Sequence, residues 1–206
     1  MEININLNKY KNLRYNFFKW RFETNYVNKF VLAFSFALLT AMLAQIKFYL
    51  PGNILVPITG QTFAVLLVGV ILGRWGVISQ IMYVGLGAMG LPWFANVTGS
   101  TIGYLIGFII AALFLGFITD KFVKSRRFSI MLLLMLFTTF VLIYIPGLTY
   151  LYFYMNSLGI MVSINELLAI AVIPFIAGDI IKALAAALIA NAIIPKRSYG
   201  SEVDIV

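Results

Sequence analysis

Apolar runs long enough to cross a lipid bilayer follow one another through most of this sequence, from about Lys29 to Ile194. A membrane-spanning helix needs about 20 predominantly apolar residues, because the hydrocarbon core of a bilayer is about 30 Å thick. Hydrophobic residues make up 62% of the chain and charged residues only 11%, which excludes an ordinary water-soluble globular domain. The sequence therefore predicts an all-α integral membrane protein.

We expect six transmembrane helices, of which the second and third are short and are joined by a tight turn at Gly73–Gly76. The predicted spans are Lys29–Leu50, Thr62–Leu72, Gly76–Leu91, Gly103–Thr119, Ser129–Tyr150 and Leu167–Ile194. They divide the chain into a basic, aromatic N-terminal segment (1–28), a six-helix membrane domain that binds substrate (29–195) and a C-terminal tail (196–206).

The basic residues sort to one side of these spans. Apart from Lys47 and Lys182, every Lys and Arg lies before or at the start of span one, between spans two and three, between spans four and five, or after span six. Cytoplasmic loops of membrane proteins carry an excess of Lys and Arg. The pattern predicts a multi-pass protein of the cell membrane with both termini in the cytoplasm, and it explains the net charge of +8 without a nucleic-acid partner.

The N-terminal segment has the composition of a helix that lies on a membrane surface. Leu13, Phe17 and Trp20 share one helical face, whereas Arg14 and Arg21 point mostly away from it. Such helices bury their apolar face at the headgroup layer and are attracted to anionic lipids. A basic aromatic arm for nucleic acid is the alternative, but the position next to a membrane span favours the lipid interface.

A stripe of small residues, Ala33, Ala37 and Ala41, runs along span one. Small residues let helices approach closely within a membrane. The stripe can therefore serve packing inside the bundle or docking of another protein, and its spacing favours neither.

Asp179 and Lys182 are an ionisable pair within the last predicted span. Each charged residue at the centre of a membrane helix costs roughly 2.5–3.5 kcal/mol on insertion scales, and residues three apart share a helical face. Counted from Pro195, the pair lies about 20–24 Å along the helix, in the outer half of the membrane. Pro174, one turn earlier, is expected to bend the helix. The pair is either structural or part of a site for a small polar solute, and we favour the site.

The predicted outer loops are irregular and uncharged, but they contain amides, hydroxyls and aromatic rings. Gln61 lies in the first of these loops, and Trp93, Phe94 and Asn96 lie in the second. Such loops can cap a pocket and donate hydrogen bonds to a ligand. Simple interfacial turns with an aromatic belt are the alternative. A belt is also the default interpretation of the tyrosines from Tyr144 to Tyr154, and the wall of an outer pocket is the alternative for them.

Enzyme activity is not expected. The chain contains no His and no Cys, which excludes thiol nucleophiles and His-based acid–base or metal chemistry. No nucleotide-binding loop of the GxxxxGK[ST] type is present, so the chain cannot hydrolyse ATP in that way. We predict no catalytic residues, no metal site and no cofactor. An intramembrane enzyme remains a remote alternative, which recovery of the solute unchanged would exclude.

Four segments, in order, resemble the BioY family, the biotin-binding S components of energy-coupling factor (ECF) vitamin transporters. They are Val56–Gly73 (VPITGQTFAVLLVGVILG), Tyr83–Ala95 (YVGLGAMGLPWFA), Gly99–Phe108 (GSTIGYLIGF) and Phe175–Leu188 (FIAGDIIKALAAAL). The resemblance implies a six-helix subunit that binds biotin from outside. It also implies a membrane-embedded coupling subunit and two cytoplasmic ATPase subunits as partners.

The resemblance also implies roles for individual residues. The ureido group of biotin would meet Asp179, while Lys182 would contact either the ureido oxygen or the carboxylate. The docking interpretation of the Ala33, Ala37 and Ala41 stripe gains weight. The further substrate contacts implied are polar ones from Gln61, Tyr83 and Asn96, and apolar ones from Trp93, Phe94 and Phe175.

The chain departs from the family pattern mainly in its second outer loop. A glycine-rich insertion of the family is reduced here to Asn96-Val97-Thr98, and Ser100 and Ile102 replace a proline and a glycine. Because that insertion helps to close the pocket in relatives, an S component for a different vitamin stays open as an alternative.

Overall fold

The computed structural model describes residues 2–50, 53–97 and 99–204, which are mostly helical and include one two-stranded antiparallel hairpin. The elements in chain order are α1 (Glu2–Glu23), α2 (Tyr26–Ala44), β1 (Lys47–Leu50), β2 (Asn53–Thr59), α3 (Gln61–Leu72), α4 (Gly76–Ala88), α5 (Ile102–Lys121), α6 (Phe128–Phe137), α7 (Tyr144–Ser157), α8 (Ile164–Ala171) and α9 (Ile176–Ile193).

Among the described residues, five helical stretches are long and apolar enough to cross a membrane. They are Tyr26–Ala44, Gln61–Ala88, Ile102–Lys121, Phe128–Ser157 and Ile164–Ile193. The predicted number of six is not confirmed, because the second stretch contains both α3 and α4. These two helices have 12 and 13 residues, fewer than the about 20 that cross a bilayer in one straight helix.

The chain reverses direction between α3 and α4 in a 3₁₀ turn, Gly73–Trp75. A Cβ atom on Gly76 would lie only 3.0 Å from the Cα atom of Gly69, so the two helices run side by side. Gly73 has a φ of 60°, and a Cβ atom there would collide with the Asp120 carboxylate. Only glycine fits this backbone and this space.

The first predicted span extends too far, and the first outer loop is more regular than expected. Helix α2 ends at Ala44, and Lys47 starts a strand whose residues pair with β2, with Lys47 opposite Thr59 and Phe48 opposite Ile58. Aromatic residues favour such a strand. The apolar character that suggested a longer helix therefore belongs to the hairpin.

The last two spans are interrupted helices. In the fifth, a π-helical segment, Thr138–Ile143, separates α6 from α7, which ends at Ser157, beyond the predicted end at Tyr150. In the sixth, a 3₁₀ turn that contains Pro174 separates α8 from α9, so the predicted bend at Pro174 is confirmed. Helix α8 begins three residues before the predicted start, at a reciprocal capping box between Ser163 and Glu166.

The alanine stripe of α2 is buried inside the chain. Ala33 and Ala37 have no exposed surface, and Ala41 is 2% exposed. On the same helix, the Thr40 hydroxyl accepts a hydrogen bond of 3.2 Å from the Gln80 amide of α4. This burial contradicts docking of another subunit on these three alanines and agrees with the alternative of packing within the bundle.

Helix α1 and the C-terminal tail up to Asp204 lie at one end of the bundle, which we call the terminal end; the β-hairpin lies at the other, the hairpin end. Tyr10 and Arg14 of α1 donate hydrogen bonds to the Ala192 carbonyl at the end of α9. The fully buried Phe18 of α1 packs against Tyr199 of the C-terminal tail. Helix α1 and the tail therefore cover the terminal end of α9.

Two buried ion pairs connect the elements at the terminal end. Arg126 and Glu202 approach to 2.6 Å, with both side chains fully buried, and the Arg126 guanidinium lies 4.1 Å from the centre of the Tyr199 ring. Arg21 of α1 pairs with Asp120 of α5 at 2.7 Å. Burial acts to raise the pKa of Glu202, but hydrogen bonds from Arg126 and from backbone N–H groups outweigh it and lower the pKa to about 2.

Candidate solute-binding site

A cavity of about 450 Å³ opens at the hairpin end of the bundle. Its walls come from the hairpin, the loop after α4, and helices α2, α3, α4, α5, α7, α8 and α9. The structure brings all eight predicted substrate-contact residues to this one cavity: Gln61, Tyr83, Trp93, Phe94, Asn96, Phe175, Asp179 and Lys182. The volume lies within the range of about 300–1,000 Å³ that is typical of small-molecule sites.

The Asp179 carboxylate is part of the lining of this cavity. It is 4% exposed, and one oxygen accepts a hydrogen bond of 2.8 Å from Lys182 Nζ. The other oxygen accepts one of 2.5 Å from the Tyr144 hydroxyl. Buried charges need such partners, so the predicted contact between Asp179 and Lys182 is confirmed, and the pair as a whole is electrically neutral.

Tyr144 is a site residue that was not singled out from the sequence. It was one of several tyrosines with an aromatic belt as the default interpretation and a pocket wall as the alternative, and the structure leaves it only 5% exposed beside the cavity. It is the first residue of α7, directly after the π-helical segment Thr138–Ile143. Segments of π-helix are frequent at functional sites, because the wider turn changes the direction of the side chains that follow.

A second set of hydrogen bonds links polar residues of the lining. The Thr59 hydroxyl at the end of β2 donates to the Gln61 side-chain oxygen over 2.9 Å. The Gln61 amide nitrogen in turn donates to the Tyr83 hydroxyl over 2.6 Å, and Tyr83 is 1% exposed. These hydrogen bonds connect the end of β2 to α4 and hold Gln61 and Tyr83, two of the predicted polar site residues, in the cavity wall.

Tyr104 of α5 is another lining residue that the sequence analysis did not single out. Its hydroxyl is buried, and within the described part of the chain it has no hydrogen-bond partner. A buried polar group without a partner costs about 1–3 kcal/mol, and a bound ligand can offset that cost. The residue lies in the segment Gly99–Phe108, whose family resemblance was the one available signal.

The loop after α4 is held close to the helices. A Cβ atom on Gly87 would lie within 2.1 Å of the Ala95 carbonyl oxygen, so the close approach of the loop requires glycine. Gln45 at the end of α2 donates a hydrogen bond of 3.1 Å to the Trp93 carbonyl. Trp93 itself is 69% exposed, whereas Phe94 is half-buried, so Trp93 lies at the rim of the cavity.

The hairpin also contributes residues that the sequence analysis did not assign to the site. Lys47 and Tyr49 of β1 line the cavity, and both are exposed. From the sequence, Lys47 stood out only as an exception to the sorting of basic residues.

No cluster of His, Cys, Asp or Glu suited to holding a metal ion occurs among the residues that the structure describes.

Comparison with known proteins places this arrangement in a family. Residues 12–198 match the model of the BioY family. The chain belongs to the BioY family. A probable biotin transporter BioY from Methanothermobacter thermautotrophicus is 48% identical over 146 residues, which cover 66% of this chain and 93% of the relative. The biotin transporter BioY from Thermotoga maritima is 36% identical, with 66% and 79% of the two chains covered.

The fold has a solved counterpart. The crystal structure at 2.1 Å of the S-component for biotin from an ECF-type ABC transporter matches with a TM-score of 0.68 and 23% sequence identity. The match covers 80% of this BioY-family chain and 89% of that chain, and it shows that the two share a fold. Together with the apolar helices, family membership makes this chain a multi-pass membrane protein of a transporter family, not an enzyme.

Proposed function

We propose that this chain is the biotin-binding S component of an ECF-type transporter and captures biotin for uptake. The observation that carries the proposal is the neutral, buried Asp179–Lys182 pair in a membrane helix, which faces a cavity of small-molecule size. The names of the curated relatives and the solved S-component for biotin support biotin as the solute.

The chemistry of the cavity suits biotin. The ureido group has two N–H donors and a polarised carbonyl, so it can donate to Asp179 and accept from Lys182. The apolar thioether ring requires apolar walls, which Phe94 and the buried Phe175 provide. Asn96 and the paired Gln61 and Tyr83 supply further polar groups in the same lining. The ring system of this solute therefore meets matching polar and apolar surfaces.

Transport requires partners that supply energy. The sequence has no GxxxxGK[ST] loop, so we assign ATP hydrolysis to two cytoplasmic ATPase subunits and its transmission to a membrane-embedded coupling subunit. We also propose six spans, with α3 and α4 as a hairpin pair and the basic terminal end in the cytoplasm. The cavity at the hairpin end then opens to the outside, where biotin arrives.

Calorimetric titration of biotin into the detergent-purified chain tests the proposal, with thiamine and riboflavin as control ligands. We expect one biotin per chain and no heat from the controls. Heat from another vitamin and none from biotin would keep the transporter architecture but change its solute. Silence for every vitamin, in a protein shown to be folded, would overturn the proposal.

The Asp179→Asn variant tests whether biotin binding depends on the Asp179–Lys182 pair. It removes the acceptor charge and leaves Lys182 without its carboxylate, so biotin binding should fall sharply while the variant still inserts into membranes. Glu166→Gln is the matched control, because it removes an exposed carboxylate that does not line the cavity. Equal binding by the Asp179→Asn variant and the wild type would remove Asp179 from the site.

A further inference from the structure

Lys47 at the hairpin end is a cation without a carboxylate partner among the described residues. The four ion pairs of the described chain are Lys19–Glu23, Arg21–Asp120, Arg126–Glu202 and Asp179–Lys182. Of the two lysines that line the cavity, Lys182 is therefore neutralised by Asp179, whereas Lys47 is not. The cavity as a whole carries one uncompensated positive charge, located on the exposed strand β1.

The depth of the two lysines differs. The Lys182 side chain is 18% exposed and lies beside the buried Asp179, while Lys47 lies on an exposed strand. Moving a carboxylate away from water costs far more than moving a neutral amide-like group that finds hydrogen bonds. A ligand with one carboxylate end and one neutral polar end is therefore bound at lower cost with its neutral end next to Asp179.

We propose that Lys47 binds the carboxylate end of the solute, while Asp179 and Lys182 bind its neutral hydrogen-bonding end. This inference rests on the proposed function and specifies the orientation of the solute in the cavity. It also assigns Lys182 to the ureido oxygen, because its charge is already matched by Asp179. The same exposed cation attracts anionic solutes to the entrance.

The hairpin holds Lys47 in a defined place. Lys47 is directly opposite Thr59 in the strand pair, and the Thr59 hydroxyl is bonded to Gln61 in the cavity wall. Lys47 and Tyr49 both line the cavity, and the strand register shifts between Phe48 and Leu50. Phe48 between them is 64% exposed and does not line it.

A comparison of biotin with biotin amide tests the inference, because the amide keeps the ring system but carries no charge at the end of its chain. Affinities are measured by calorimetry for the wild type, Lys47→Gln and Lys47→Arg. Lys124→Gln, which removes a lysine at the terminal end, is the control. We expect Lys47→Gln to weaken biotin binding about tenfold, the scale of one charge-assisted hydrogen bond, and to leave amide binding unchanged. Lys47→Arg should retain the preference of the wild type for the acid.

Three results would contradict the inference. Equal weakening of acid and amide by Lys47→Gln would make Lys47 a structural residue, and no weakening of either would remove it from the site. Loss of the preference for the acid in Lys182→Gln, but not in Lys47→Gln, would assign the carboxylate to Lys182. These results leave biotin binding by the wild type intact, whereas failure of the folded wild type to bind either compound would overturn the proposed function itself.

Discussion

Tyr144 on α7 donates a hydrogen bond of 2.5 Å to Asp179 on α9, and so joins two membrane helices at the buried carboxylate of the cavity. Lys182 occupies the other oxygen of the same carboxylate. Asp179 is therefore held from two sides before any solute enters. A carboxylate fixed in this way can accept hydrogen bonds from a ligand without a large loss of side-chain freedom.

Tyr144→Phe should weaken biotin binding by about tenfold, because hydrogen bonds to charged groups contribute about 1.5–3 kcal/mol. The substitution keeps the ring and its packing but removes the hydroxyl, so that one oxygen of Asp179 loses its hydrogen bond and the carboxylate can rotate. Tyr152→Phe is the matched control, since Tyr152 lies on the same helix but is 37% exposed and outside the cavity lining. Calorimetry gives the affinities and thermal unfolding checks the fold; unchanged affinity in Tyr144→Phe would mean that Lys182 alone positions Asp179.

Local patterns in the sequence predicted much of this site. The three-residue spacing of Asp179 and Lys182 placed them on one helical face, and the structure shows the contact. Pro174 marked the break before α9, because proline lacks an N–H group and disrupts the preceding turn. Long-range partners were not visible: Tyr144 lies 35 residues from Asp179, and Lys47 reaches the cavity only because its strand pairs with β2.

The alanine stripe of α2 shows a different limit. A repeat of small residues indicates close packing but not which neighbour packs, and the family resemblance favoured docking of another subunit. The structure resolves this in favour of packing within the chain, since Ala37 has no exposed surface.

Ala37→Leu should therefore destabilise the folded chain itself. Extra methylene groups in a packed core cost about 1–3 kcal/mol, because side chains are forced away from their preferred rotamers. Ser35→Leu is the matched control, because Ser35 is exposed on the same helix and the change introduces the same side chain. A lower melting temperature in detergent is expected for Ala37→Leu alone. Normal stability of that variant together with loss of the coupling subunit would restore the docking interpretation.

Low pH should destabilise the terminal end of the bundle, because it protonates the Glu202 carboxylate. Folding lowers the pKa of this carboxyl from 4.5 to about 2, so its stabilising contribution is complete above pH 4.5 and is lost as the pH falls toward 2. The Asp204 carboxyl also has a lowered pKa: hydrogen bonds from the Lys124 and Val123 N–H groups outweigh the effect of burial. The melting temperature of the wild type should therefore fall over this range.

Glu202→Gln should flatten that pH dependence and lower stability at neutral pH by about 3 kcal/mol, because it leaves Arg126 as an unpaired buried charge. Glu23→Gln is the control: its carboxylate is 60% exposed and lies 3.9 Å from Lys19, and exposed pairs of this kind contribute less than about 1 kcal/mol. An unaltered pH profile in Glu202→Gln would show that other carboxylates determine acid sensitivity.

Helix α1 has one face toward the bundle and an apolar face that nothing in the described chain covers. Phe18 and Arg21 are 0% and 4% exposed, whereas Leu13, Phe17 and Trp20 are 69%, 37% and 45% exposed. The exposed three recur at spacings of four and three residues and so form one stripe beside the buried face. This arrangement supports the prediction that α1 lies in the headgroup layer.

The surroundings of this stripe favour lipid as its occupant. Asn12, Asn16 and Lys19 form the remaining, polar arc of α1 and are exposed. The helix leads directly into α2, whose first residues Tyr26 and Val27 are 73% and 68% exposed at the start of a membrane-length helix. An apolar stripe, a polar arc and nearby basic residues are the three features of helices that bind anionic membrane surfaces.

Spin labels can test which face of α1 meets the membrane, because the chain has no cysteine and each label requires a single substitution. In nanodiscs of phosphatidylcholine with phosphatidylglycerol, a label on Leu13→Cys should collide with oxygen, which concentrates in lipid, and be shielded from a water-soluble nickel chelate. A label on Asn12→Cys, about 100° around the helix from Leu13 on the polar arc, should show the reverse. Equal access of the chelate to both positions would place α1 in water. Shielding of Leu13→Cys only after addition of the coupling subunit would instead make the stripe a protein interface.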